Sequence, residues 1–174
     1  MIQNSEFVIF GKSITMPATP KATPKKSSSS KRPTRSGDGI KIKYYDKSPG
    51  QPQLIPVFDE IKKMLAPYEK GTMKLFGGSD GKIGLVSKKP VEILGRKREE
   101  LWFASALVQK GYVGFYYMPV YMNPAVKKLI KPELLKCLKG KACFYIRKFD
   151  KEIFSQIKEA LAVGYKEWHQ RGWI

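Results

Sequence analysis

An α+β fold is what residues 54–174 predict: an antiparallel sheet of about five strands, with an N-terminal helix and a long C-terminal helix packed on one face. Three observations lead there. Apolar residues recur at spacings of three and four at both ends of this stretch. Runs rich in β-branched and aromatic residues fill the middle. The breaks between those runs are too short for parallel crossovers, which need a dozen or more residues.

Residues 1–50 are expected to form a disordered basic tail. The stretch "SITMPATPKATPKKSSSSKRPTRSGDG" offers Ser, Thr, Pro and Lys but little to bury. It cannot offset a chain entropy of about 1–2 kcal/mol per ordered residue. The first element is "IPVFDEIKKMLAPYEK", which sets Phe58, Ile61, Leu65 and Tyr68 on one helical face and turns Glu60, Lys62 and Lys63 outward. Pro56 suits its first turn and Pro67 ends its regular part. Strands are then expected at "KIGLVSKK", "VEIL", "EELWFASALVQ", "YVGFYYMPVY" and "ACFYIRKF", separated by the turn segments "GGSDG", "KP", "GRKR" and "KG". The longer break, "MNPAVKKLIKPELLKCLKGK", places Asn123 as an N-cap before Pro124, and Gly140 stops a second short helix. Asp150 caps the last helix, whose apolar face carries Ile153, Ile157, Leu161, Tyr165 and Trp168. Gly172 then lets Trp173 fold back over the final turn.

The chain has 174 residues and a net charge of +18, from 33 Lys and Arg against 15 Asp and Glu. Ten basic and three acidic residues lie in 1–50, leaving a surplus of eleven positive charges on 51–174. Two cysteines, Cys137 and Cys143, and one histidine, His169, are too few for a disulfide scaffold or a four-ligand zinc site. No apolar run approaches the ~20 residues of a membrane span, and "FVIF" is shorter than a secretory core. A cytoplasmic protein with free thiols, no cofactor and no bound metal is expected.

No catalytic constellation emerges. "KGYVGFYY" resembles the RNA-reading strand of an RRM, but Val113 is inserted between the first ring and the small residue. Pleat alternation then puts Tyr112 and Tyr116 on one face, with Val113, Phe115 and Tyr117 on the other, so the two would-be stacking rings point apart. "GGSDGKI" lacks the glycine spacing, the hydroxyl and the following helix of a phosphate loop, and reads as a hairpin turn. Glu99 and Glu100 are adjacent on a strand and face opposite ways. His169 sits in a last helical turn, where its charge suits the dipole.

Basic groups remain: Arg96 and Arg98 at a turn, Lys139 and Lys141 around Gly140, and Lys25, Lys26, Lys31, Arg32 and Arg35 in the tail. A tail neutralising about five phosphates would give a log–log salt slope near −4. The expected function is a non-enzymatic binding domain for an anionic partner, nucleic acid or a phosphate- or carboxylate-bearing ligand, oriented by Arg96, Arg98, Lys139 and Lys141. The alternative is a small-molecule pocket between the sheet and "MNPAVKKLIKPELLK", lined by Trp102, Tyr116 and Tyr121.

The segments "KKPVEILGRKREELWFASALVQKGYVGFYYMPVY", "PELLKCLKGKACFYIRK" and "GYKEWHQRGWI" resemble the YdhG-like domain family, over residues 54–174 and with Lys139-Gly140-Lys141 as the most specific feature. The resemblance implies a compact α+β domain with helices at both ends and supplies no catalytic residue. Some members are described as frataxin-like, which makes iron binding a further alternative. Against it, Asp59 and Glu60 stand beside Lys62 and Lys63 on a basic domain that repels cations.

Overall fold

The structure is a computed structural model that describes residues 45–174. The expectation of a disordered tail therefore falls, up to residue 44, outside the described residues. Hydrogen bonds begin ahead of Leu54: Lys47 Nζ donates to Gln109 Oε1 at 2.5 Å, and the Gly111 amide to Gln51 Oε1 at 2.5 Å.

The α+β expectation holds. Helix α1 (Ile55–Leu65) leads into strands β1 (Met73–Gly77) and β2 (Lys82–Ser87). A separate hairpin, β3 (Val91–Ile93) with β4 (Arg96–Arg98), precedes β5 (Leu101–Gln109) and β6 (Tyr112–Tyr117). Three short helices follow: α2 (Met118–Met122), α3 (Pro124–Lys128) and α4 (Pro132–Lys136). Strands β7 (Leu138–Lys139) and β8 (Cys143–Ile146) and the long helix α5 (Lys151–Gln170) complete the domain. The main sheet among the described residues has six strands, ordered β1-β2-β5-β6-β8-β7, all antiparallel.

Four details differ from the expectation. The longer break contains a short edge strand, β7, so the second short helix ends at Lys136 and Gly140 turns β7 into β8 instead of stopping that helix. Strand β1 is an added edge strand, on a segment whose alternation is interrupted by Gly77 and Gly78. "GRKR" is not a break, because its Arg96–Arg98 pair with Val91–Ile93 across a two-residue turn. "YVGFYYMPVY" does not stay extended, because Pro119 lacks an amide for the ladder and instead occupies the first turn of α2.

Both long helices bury their apolar stripes on one face of the sheet. Val57, Phe58, Ile61 and Leu65 of α1 and Phe154, Ile157, Leu161 and Trp168 of α5 join the inner residues of the strands in one core. Asp150 caps α5 by accepting from the Glu152 and Ile153 amides, and Asn123 caps α3 by accepting from the Ala125 amide. Pleat parity on β6 is as expected: Val113, Phe115 and Tyr117 are fully buried in the core, while Tyr112 and Tyr116 lie half-buried on the opposite face.

Strand β5 carries an irregularity with large consequences. Leu85 of β2 faces Ala104, and the next residue, Val86, faces Trp102. Phe103 is the extra residue of a β-bulge. Phe103 and Ala104 both enter the core, and Phe103 packs edge-on against Trp168 at 5.0 Å and Tyr117 at 5.8 Å. Trp102 is thereby turned to the outer face, 44% exposed, edge-on to Phe76 at 4.8 Å.

Helix α5 contains a glycine where alanine would strengthen an open helix by about 1 kcal/mol. Gly164 lies against β6: the Tyr117 hydroxyl donates to the Ala160 carbonyl, and a Cβ on Gly164 would overlap that hydroxyl and stand 2.8 Å from Pro119 Cγ. Gly164→Ala is expected to destabilise the fold by about 3 kcal/mol by overpacking, measured by denaturant unfolding. A gain in stability would show that this approach is not made.

Candidate functional site

A cleft of about 860 Å³ opens where β5 begins and β6 gives way to α2. The β3–β4 hairpin forms one wall with Ile93, Leu94, Arg96 and Arg98, and α2 forms another with Met118, Tyr121 and Met122. Trp102, Leu101 and Glu100 come from β5 and the residue before it, and Arg171 and Trp173 from the end of α5.

Each wall has a local cause. On β4, alternation points Arg96 and Arg98 the same way, opposite Ile93 and Val91 in register, while Lys97 faces the other side across from Glu92. Neither the Arg96 nor the Arg98 guanidinium makes an ion pair or hydrogen bond among the described residues. Arg171 is committed, bonding the Glu167 carboxylate and lying 4.9 Å from the Trp173 ring. Glu100 is neutralised by Lys88 at 2.5 Å. The chain end is pinned by two contacts: the Trp173 amide donates to the Trp168 carbonyl at 3.0 Å, and Ser87 Oγ donates to the Trp173 carbonyl at 2.7 Å. Trp173 thus folds back as expected, its ring 5.7 Å from Trp168.

Arg96, Arg98, Trp102 and Tyr121, named from sequence in two separate hypotheses, meet in this one cleft. Lys141 joins it indirectly, with Nζ 5.6 Å from the Tyr121 ring centroid. Lys139 lies on the edge strand β7 and does not line the cleft. Nor does Tyr116, which sits on the outer sheet face beside Cys143. The cleft also lies beside the β3–β4 hairpin and α2 rather than under the whole 122–136 connection. Arg171, Trp173 and the methionines of α2 were not singled out as site residues, since their meeting depends on Gly172 and Pro119 redirecting the chain.

The outer sheet face carries tyrosines rather than a helix. Tyr112 and Tyr145 stack at 3.9 Å, and the adjacent Tyr145 hydroxyl raises the Tyr112 phenol to about 12. Burial, with help from Cys143, raises Tyr116 to about 12. Phe115 is in the core on the other side, so no RRM-like pair forms. Burial raises both the Cys137 and Cys143 thiols, the opposite of an activated nucleophile. "GGSDGKI" is the β1–β2 hairpin, with Gly77, Gly78 and Gly81 at positive φ. Among the described residues no group of three or more His, Cys, Asp or Glu could hold a metal, and no helix is long and apolar enough to cross a membrane. No protein-family model matches the chain, and no curated protein or solved structure matches it.

The hairpin tip is unusual. Leu94 and Gly95 have φ of 52° and 69°, the geometry of a type I′ turn that favours Asn-Gly. Leu94 is 97% exposed, so no packing compensates its left-handed backbone. Leu94→Asn is expected to raise stability by about 1 kcal/mol, read as a shift in the denaturation midpoint. No gain would mean that the turn is not of this type.

Proposed function

We propose that this is a non-enzymatic binding domain whose partner is anionic and is held in the arginine cleft. The observation that carries the reading is the convergence of Arg96 and Arg98, two uncommitted guanidinium groups, on the exposed rings of Trp102 and Tyr121. Guanidinium forks suit phosphate and carboxylate oxygens, and the rings suit a flat or apolar part of the same ligand. The surplus of positive charge on the domain raises the local concentration of anions. Lys141 extends the cationic rim by way of Tyr121.

A small organic ligand is a second reading, favoured by the cleft volume of about 860 Å³, which lies within the usual range for such sites. Membership of the YdhG-like family is proposed on the element order and on the Lys139-Gly140-Lys141 turn, where Gly140 takes φ of 72°. A cytoplasmic setting is proposed from the two free, part-buried thiols.

The test is titration calorimetry with tripolyphosphate and with adenosine triphosphate. The double variant Arg96→Gln/Arg98→Gln is expected to lose at least about tenfold in affinity, since each charged hydrogen bond contributes about 1.5–3 kcal/mol. Its melting temperature should stay unchanged, because both side chains are exposed. Undiminished binding by the double variant would contradict the reading. Binding of an uncharged aromatic compound that persists undiminished in 1 M (about 3 Å Debye length) salt would favour the second one.

A further inference from the structure

A shallow groove of about 190 Å³ adjoins the cleft on the outer sheet face. Lys74, Phe76, Val86 and Lys88 line it, together with Glu100 and Trp102, and these last two also line the cleft. The two depressions therefore meet at Trp102. Gly84 makes this possible: a Cβ there would overlap the Phe76 ring, which lies across β2 toward Trp102. Each side of Trp102 then offers one further ring and two basic groups. On the sheet side these are Phe76 with Lys74, which is unpaired, and Lys88, which is shared with Glu100; on the cleft side they are Tyr121 with Arg96 and Arg98.

We propose that cleft and groove together form one track for single-stranded nucleic acid, at least two nucleotides long, with a base against Trp102 at the junction. The proposal rests on the anion-binding reading of the cleft and extends it to a polymer. A repeated pairing of ring and cation is what a chain of bases and phosphates requires, and a single nucleotide would use half of it. Bases inside a duplex cannot reach the rings, which selects single strands. An acidic peptide would satisfy the cations but leave Phe76, Trp102 and Tyr121 without a flat partner. The Lys74 side chain is exposed and its ammonium group makes no ion pair or hydrogen bond among the described residues, so it is free to meet a phosphate.

The experiment uses the full chain and follows tryptophan emission during titration with thymidine monophosphate, hexathymidylate and hexaglutamate, with tripolyphosphate as the reference anion. Hexathymidylate is expected to bind at least about tenfold tighter than the monophosphate and to quench emission, and most of the quench should be lost in Trp102→Phe, leaving the part that comes from Trp173. Lys74→Gln should weaken hexathymidylate several-fold and reduce its salt slope by about 0.7, with the monophosphate unaffected. Equal effects of Lys74→Gln on both nucleotides, an unchanged quench in Trp102→Phe, or hexaglutamate binding as tightly as hexathymidylate would each overturn the track. If tripolyphosphate binds and neither nucleotide does, the track fails while the anion site stands. If no anion binds, both fail.

Discussion

The bulge at Phe103 is the constraint on which this structure turns. A strand of unbroken alternation would place Trp102 on the same side as Ala104 and Ala106, inside the core. One extra residue reverses that. Phe103 and Ala104 both point inward and complete the packing around Trp168, while Trp102 is delivered to the outer face. The large inner ring is needed there, because the neighbouring inner positions of β5 are alanines, whose small side chains leave the space that Phe103, Phe115 and Tyr117 occupy. Core packing and presentation of the site residue are thus two outcomes of one backbone irregularity.

The remaining walls of the cleft are fixed by contacts between segments far apart in sequence. Tyr117 ends β6 with its hydroxyl bonded to the Ala160 carbonyl, and the close approach of Pro119 to Gly164 seats α2 against α5. That seat determines where Met118, Tyr121 and Met122 stand. On the opposite side, Ser87 holds the Trp173 carbonyl and brings the end of the chain to the end of β2. The β3–β4 hairpin leaves the sheet between β2 and β5 at that same end. A hydrogen-bonded sheet end, a pinned helix end and a projecting hairpin therefore enclose a basic, aromatic cleft. The hairpin is the least supported wall, since its turn holds Leu94 in a left-handed backbone without burial in return.

Much of this was legible in the residues. The helix faces of 55–65 and 151–170, their caps, and the fold-back of Trp173 follow from spacing and from Asp150, Asn123 and Gly172. The two-sided division of Tyr112 and Phe115 follows from pleat parity. Strands β1 and β7 were not legible, because "MKLFG" and "LK" are edge segments too short and too mixed to show a period. The bulge was not legible either, because alternation alone does not reveal an inserted residue. For that reason the arginines of "GRKR" and the rings of Trp102 and Tyr121 could be named but not joined into one site. Tyr116 stays on the outer sheet face beside Cys143, whereas Pro119 turns the chain into α2 and carries Tyr121 to the cleft.

The most direct test of the bulge is a nuclear Overhauser spectrum of the side-chain aromatic protons. It should connect the Trp102 indole to the Phe76 ring, and the Phe103 ring to the Trp168 indole. Cross-peaks from the Trp102 indole to Trp168, with Phe103 joined instead to Phe76, would place the tryptophan in the core and contradict the account.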